Sequence, residues 1–120
     1  MNYGFKMEDC LFCKIVHKEI ETDIIYENKN IVAFRDINPQ APVHILLIPK
    51  LHFPTLNDLT SNDKKLTGSL IYSAVKLAKR EGIAEQGYRT GFNCNEWGGQ
   101  TVYHIHLHLL GGRKFGWPPG

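Results

Sequence analysis

Apolar residues recur along this chain with two periods, and each period predicts a different kind of element. Five segments rich in β-branched and aromatic residues show an alternating or continuous apolar pattern, which is typical of half-buried and buried strands. These segments are residues 23–27, 31–36, 43–49, 87–93 and 101–110. The first two are separated only by "NKN", so we expect them to form a hairpin with a short turn.

Apolar residues at helical spacing predict two helices. The shorter helix covers residues 9–18, and its apolar face carries Leu11, Ile15 and either Phe12 or Val16. The longer helix begins at a cap on Thr60 or Ser61 and ends at Gly82. Five strands and two helices in this order predict an α+β fold on one mostly antiparallel sheet.

The length of 120 residues fits one domain with a sizeable core. We expect residues 10–120 to form that domain, after an N-terminal extension over residues 1–9. The domain includes the tail 111–120, in which four glycines and two prolines predict an irregular conformation.

Composition excludes several classes of function. A net charge of +2 without a basic run gives no reason to expect a nucleic-acid partner. The longest apolar run, residues 43–49, is too short to cross a membrane, and the first residues lack the apolar segment of a signal peptide. Three cysteines, two of them at CxxC spacing, favour a reducing compartment over a secreted disulfide framework. We therefore expect a cytoplasmic protein.

Three histidines at alternate positions are the most unusual feature of the sequence. They lie in "YHIHLHLL", residues 103–110, and a strand there would direct His104, His106 and His108 to the same face. Such a row either binds a metal, performs chemistry or forms one polar face of a sheet. Imidazole is a nucleophile and an acid or base near neutral pH, and Gly98 and Gly99 just before the row allow a close approach to an anion.

The segment His104–Leu110 fits the signature His-φ-His-φ-His-φ-φ, with φ apolar, at every position. The chain therefore resembles the histidine triad (HIT) family from about Cys10 to Gly120. The segment "FRDINPQAPVHILLIPKLH" and the ending "GGR…WPPG" are similar to its purine nucleoside phosphoramidase branch.

The resemblance implies hydrolysis of purine nucleoside 5′-monophosphoramidates through a covalent nucleotidyl-histidine. His106 would be the nucleophile, His108 would contact the phosphate and assist proton transfer, and His44 would support the site. The resemblance also implies a homodimer whose sheet continues across both chains. Trp117 would then help to define the leaving-group side.

The same resemblance implies a set of nucleotide-binding residues. Asp36 would hold the ribose hydroxyls, since a carboxylate accepts hydrogen bonds from a vicinal diol. Asn93 would lie near the phosphate and ribose. The phosphate would meet Gly99, Gln100 and Thr101, together with His106 and His108. The base would contact Leu11, Phe12, Ile15, Phe34 and Ile37, although apolar residues of this kind also form ordinary cores.

The pair Cys10 and Cys13 is compatible with a redox pair, half of a metal site or two buried thiols. Zinc needs four ligands, and some HIT proteins hold a structural zinc with such a pair and two histidines. Here the matching histidines are His52 and His104. The resemblance thus implies a structural zinc and no organic cofactor, which leaves His104 divided between catalysis and metal binding.

Other functions remain open from the sequence. A dinucleoside polyphosphate hydrolase or nucleotidyl transferase would use similar residues, although the transferase branch usually replaces the third histidine with glutamine. A nucleotide-binding interaction protein and a metal-binding module are alternatives from other classes. Several departures from the family pattern affect substrate detail, namely Arg35 near the base, Glu21 where a proline often follows "EI", and Asn95, Glu96 and Trp97 in the loop before the row.

Overall fold

The computed structural model describes residues 9–120, which form a five-stranded antiparallel sheet flanked by two helices. The expected extension over residues 1–9 therefore lies outside the described residues, apart from Asp9. The strands are β1 (Ile24–Glu27), β2 (Ile31–Arg35), β3 (Val43–Pro49), β4 (Tyr88–Gly91) and β5 (Leu107–Gly111). The helices are α1 (Leu11–Val16) and α2 (Lys64–Arg80). The predicted α+β class and antiparallel sheet are confirmed.

The sheet has the order β1-β2-β3-β5-β4, and both of its faces are covered. Alternate residues of β2 point to opposite sides, so Ile31 joins a cluster with Leu70 of α2, whereas Val32 joins one with Phe12 of α1. Burial on both faces explains why β2 and β3 are almost continuously apolar. The short helix α1 thus covers one face, and the candidate site lies on that face.

Helix α2 follows two consecutive capped turns. Thr55 and Thr60 each form a capping box, with Asp58 and Asp63 respectively, around the 3₁₀ turns Leu56–Asp58 and Ser61–Asp63. The predicted cap at Thr60 therefore starts the turn that leads into α2. The described helices include none long and apolar enough to span a membrane.

The predicted strand over residues 101–110 is wrong in its first half. Regular pairing begins only at Leu107, which faces Leu47, and residues 101–106 are irregular. Continued pairing would bring Ile105 opposite Pro49, which has no amide hydrogen and whose carbonyl accepts from the His104 ring at 2.8 Å. The amide of Ile105 instead donates to the carbonyl of Phe53 at 2.8 Å. Only His108 therefore belongs to β5, but the three histidines still lie on the α1 side, where Phe12 contacts His104 and His106 and His106 contacts His108. The intervening Ile105, Leu107 and Leu109 join the cluster on the α2 side, as predicted.

Candidate functional site

A cavity of about 640 Å³ lies on the α1 side of the sheet. Its apolar wall comes from α1 and β2, and its polar rim comes from the ends of β2 and β3, the Gly-Gly loop and the histidine segment. Of the sequence-predicted residues, those that line it are Leu11, Phe12, Ile15, Phe34, Asp36, Ile37, His44, Gly99, Thr101, His106 and His108. A volume of this size is typical of small-molecule sites.

His106 lies at the boundary between the cavity and the core, and its side chain is only 7% exposed. Its Nδ1 lies 2.8 Å from the carbonyl oxygen of His104, which can only accept, so the ring proton is on Nδ1. The Nε2 atom is consequently the unprotonated nitrogen. Burial lowers the pKa of His106, which keeps the ring neutral and its lone pair available.

His44 and His108 form a hydrogen-bonded pair across β3 and β5. The backbone amide of Gln40 donates to Nδ1 of His44 at 3.0 Å, so neutral His44 carries its proton on Nε2. That Nε2 lies 2.9 Å from Nδ1 of His108, which therefore accepts. His108 in turn carries its proton on Nε2. The main chain thus assigns one tautomer to each ring.

Burial also keeps this pair neutral. Desolvation, with repulsion from His106 and His44, lowers the pKa of His108 to about 4. The pKa of His44 is lowered by desolvation, against the opposing attraction of Asp36. The Asp36 carboxylate accepts from the amide of Asn38 at 2.9 Å through Oδ1, while Oδ2 lies 3.5 Å from Nε2 of His44.

The loop before the histidine segment is tightly folded. Asn95 adopts φ 60°, as expected for an asparagine that replaces glycine at a left-handed position. A Cβ atom on Gly98 would lie 2.4 Å from the carbonyl oxygen of Cys94, so the loop requires glycine there. The amides of Gly99 and Gln100 donate to carbonyls within the loop, at 3.0 and 3.1 Å. These two amides are therefore engaged within the loop rather than directed at an anion.

Two predicted nucleotide-binding residues, Gln100 and Asn93, do not line the cavity. Gln100 is buried, and its side chain accepts from the amide of Asn95 and donates to the carbonyls of Pro54 and Val102. Asn93 donates to the carbonyl of Gly98 at 2.6 Å. Both side chains hold the loop in place.

Cys10, Cys13, His52 and His104 converge on the other side of Phe12, as the CxxC interpretation predicted. One donor atom from each lies within 4.8 Å of all the others. Sγ of Cys10 and Nδ1 of His104 are 3.3 Å apart, as are Sγ of Cys13 and Nδ1 of His52. The two Nδ1 atoms are 3.1 Å apart. Tetrahedral zinc with ordinary bond lengths places S and N ligands about 3.6 Å apart and two N ligands about 3.3 Å apart.

The donor chemistry of this cluster also fits zinc. Nε2 of His104 donates to the carbonyl of Pro49, so its Nδ1 presents a lone pair to the cluster. Burial raises the pKa of Cys10 to about 11, a cost that zinc removes because metal binding displaces the thiol proton. With four protein ligands the ion would be structural, linking α1 to the segments after β3 and before β5.

A second group, Asp36, His44 and His108, also brings three potential metal ligands within 4.8 Å. Here Nε2 of His44 carries a proton, because the Gln40 amide occupies Nδ1. The group is therefore arranged as a hydrogen-bonded chain.

Two further residues named from the sequence are Trp117, which does not line the cavity, and Arg35, which lines it but directs its guanidinium elsewhere. Trp117 is 84% exposed in the tail. The side chain of Arg35 turns to the α2 side, where it pairs with Glu81 at 2.9 Å and with Asp23 at 3.5 Å. The base pocket thus receives no guanidinium from Arg35.

Sequence reasoning missed the main-chain partners of the histidines, namely the amide of Gln40 and the carbonyl of Pro49. No residue type signals such a contact, because every residue except proline offers the same backbone groups. It also missed several residues of the cavity wall, which are Ile20, Glu21, Thr22, Asn38, Gln40, Leu46 and Val102.

An apolar cavity that ends at a neutral imidazole with an unprotonated nitrogen is the arrangement of a small-ligand site, and an imidazole in this state is chemically able to act as a nucleophile. The family model described as HIT domain matches residues 17–115, and the chain belongs to the HIT family.

Relatives with descriptive names support the same assignment. The chain is 52% identical over 109 residues to the purine nucleoside phosphoramidase of Escherichia coli (strain K12), covering 91% of this chain and 92% of that protein. It is 50% identical over 113 residues to a 14 kDa zinc-binding protein of Zea mays, covering 92% and 87%. A HIT family hydrolase from Legionella pneumophila Philadelphia 1 has a similar structure, with a TM-score of 0.92, 57% identity, and coverage of 93% of this chain and 100% of that one.

Proposed function

We propose that this protein hydrolyses the phosphorus–nitrogen bond of purine nucleoside 5′-monophosphoramidates, with His106 as the nucleophile. The observation that carries the proposal is the hydrogen bond from Nδ1 of His106 to the carbonyl of His104. It directs the lone pair of a buried, neutral imidazole to the cavity, as nucleophilic catalysis requires. The 52% identity to a protein named purine nucleoside phosphoramidase supports the same substrate class.

The cavity suits a nucleoside monophosphate. The base packs between apolar side chains of α1 and β2, chiefly Phe12 and Phe34, which make an edge-to-face pair at 5.4 Å. The ribose hydroxyls lie at Asp36 on the rim. The phosphorus then lies beside His106 and His108, whose ring centroids are 4.9 Å apart.

The covalent step follows from the assigned tautomers. Nε2 of His106 attacks phosphorus, the phosphorus–nitrogen bond breaks, and the amine leaves with a proton from Nε2 of His108. The phosphate anion of the bound substrate favours one additional proton on the His44–His108 pair; that proton goes to the amine, so the pair ends neutral as the attacking ring becomes cationic. Water then attacks the nucleotidyl-histidine and returns a proton to the pair, which releases the nucleoside monophosphate.

An adenosine 5′-monophosphoramidate assay with His106→Ala tests this assignment. We expect wild-type protein to release amine and to form a nucleotidyl adduct on His106, detectable by mass spectrometry after rapid quench in alkaline denaturant, because phosphorus–nitrogen bonds are labile in acid. His106→Ala forms no adduct and loses turnover, whereas His17→Ala, a histidine outside the cavity, retains it. Turnover in His106→Ala would exclude this nucleophile, and binding without turnover in wild type would favour a nucleotide-binding interaction protein.

The proposal extends to assembly and location. Strand β4 lies at the end of the described sheet, so a second copy of this chain can extend the sheet there into a homodimer, with Trp117 on the leaving-group side. Light scattering that shows a monomer at micromolar concentration would contradict this. Two buried thiols at a candidate zinc cluster suit the reducing cytoplasm, where we place the protein.

A further inference from the structure

His104 is a member of the metal cluster and also contacts His106, which lines the cavity. Its Nδ1 faces Cys10, Cys13 and His52, and its Nε2 donates to Pro49. Its backbone carbonyl is the acceptor that assigns the tautomer of His106. The His104 ring thus belongs to the metal cluster, while the carbonyl of the same residue holds the ring of the proposed nucleophile, His106.

The segment that carries His106 packs through Ile105 and Val102 but is held by few hydrogen bonds. Residues 101–106 make no ladder with β3, because regular pairing starts at Leu107. Their fixed points are the Ile105 amide on Phe53, the Gln100 side chain on Val102, and the His104 ring. Of these three, only the His104 ring contacts the metal cluster.

The cluster also holds the wall of the cavity beside the nucleophile. Cys10 is the N-cap of α1, and its Sγ accepts from the amide of Cys13 at 3.3 Å. Phe12, on the same turn, packs edge-to-face against His106 at 5.0 Å and His104 at 6.0 Å. The same four donors therefore locate both the carbonyl partner and the aromatic neighbour of His106.

We propose that Cys10, Cys13 and His52 are positioning residues, which act on His106 through the metal that they share with His104. Resting on the proposed function, this adds a catalytic role to a cluster whose donor set is otherwise structural. Metal on Nδ1 keeps the His104 proton on Nε2, which maintains the bond to Pro49 and holds the carbonyl in place for His106. Without the metal, the four donors lose their common link, so the His104 ring and its carbonyl are no longer fixed relative to α1 and the segment that carries His106 is freed.

The first test compares zinc-loaded, chelator-treated and zinc-reloaded wild-type protein. Nitrogen-15 NMR of the histidine rings reports the tautomer of His106 without any substrate, and rapid quench reports the rate of nucleotidyl adduct formation. We expect one His106 tautomer, with the proton on Nδ1, in the loaded protein and a mixture in the metal-free protein. Adduct formation should slow roughly 10- to 100-fold, since displacements of about 1 Å have effects of this size, and reloading should restore both signals.

A folded metal-free protein with an unchanged His106 spectrum and rate would overturn the proposal. Where metal removal unfolds the wild-type chain, His52→Ala takes its place and is compared at low and at saturating zinc, because three ligands and a water hold the ion more weakly than four ligands do. His52→Cys keeps four ligands and is expected to retain the wild-type spectrum and rate, and Cys94→Ser controls for loss of a thiol elsewhere. A folded His52→Ala protein whose His106 spectrum and adduct rate are the same at low and at saturating zinc overturns the proposal equally.

These outcomes separate this proposal from the proposed function. A metal-dependent His106 spectrum in a protein that turns over no phosphoramidate would leave the positioning effect intact and refute the reaction. Turnover with a metal-independent His106 spectrum and rate would support the proposed reaction and refute the positioning effect.

Discussion

Replacing Gln100 by leucine tests whether this side chain stabilises the loop or contacts the phosphate of the substrate. The substitution preserves approximate volume and removes all three hydrogen bonds that the side chain makes, to Asn95, Pro54 and Val102. A net contribution of about 1 kcal/mol per bond gives an upper figure of about 3 kcal/mol. Asn95 is exposed, so water replaces one bond there, and we expect a loss of about 2 kcal/mol.

The assay is urea unfolding of the zinc-loaded protein, followed by fluorescence, together with steady-state kinetics at 20 °C. We expect an unchanged m value, a lower midpoint and a Tm reduced by roughly 8 °C, since about 1 kcal/mol shifts Tm by about 4 °C in a domain of this size. Because Gln100 does not line the cavity, kcat/KM should fall less than about 10-fold, or about 1.4 kcal/mol in transition-state stabilisation.

Gln86→Leu, at an exposed position, is the matched control and should leave the free energy of unfolding within about 0.5 kcal/mol of wild type. If Gln100→Leu kept the wild-type stability but lost more than about 100-fold in kcat/KM, or about 2.7 kcal/mol, the loop role would be refuted and the predicted contact of Gln100 with the phosphate would be supported.

Three other predictions concern Gly98, Leu70 and His108. Gly98→Ala should raise KM and reduce stability by about 1–3 kcal/mol, because its Cβ would lie 2.4 Å from a Cys94 backbone oxygen. The control Gly116→Ala, in open space, should change neither quantity, and equal KM values for the two variants would contradict the prediction. Leu70→Ala, at a fully buried position, should cost about 2–5 kcal/mol in urea unfolding, and a cost below about 1 kcal/mol would show that α2 is loosely packed. The pKa of His108 is about 4 in the folded protein and about 6.5 in the unfolded chain, so the contribution of His108 to stability is complete above pH 6.5 and declines as pH falls toward 4. Unfolding midpoints that decline equally over this range in wild type and His108→Asn would contradict the prediction.

The sequence predicts most of the fold because its strands and α2 are long, regular apolar patterns. The region 101–110 is the exception, where the alternation of histidine with apolar residues is equally compatible with a strand and with an irregular segment that buries alternate side chains. What ends the strand is Pro49, through its missing amide hydrogen and its occupied carbonyl. That cause lies more than fifty residues away along the chain, where a local pattern cannot include it.

The candidate site was predictable to the extent that residue type carries chemistry. Cysteine and histidine at family spacing indicated the metal cluster, and Cys10 and His104 do meet at 3.3 Å. Gln100 was expected on a phosphate because amides bind anions, yet a buried amide also satisfies backbone groups, and the sequence does not distinguish these uses. The protonated nitrogen of each histidine was beyond prediction, since it depends on backbone groups of other segments.

Among residues 9–120, every buried side-chain nitrogen and oxygen has a hydrogen-bond partner, and those of the key imidazoles are largely main-chain atoms. A substitution that keeps all the histidines can therefore still inactivate the protein by moving the peptide unit at Gln40, at Pro49 or at His104. Gene-mining and design efforts that accept a sequence on its three histidines alone would keep such inactive chains. The more selective criterion is the course of the backbone at these three peptide groups, which specifies where each proton resides before any substrate arrives.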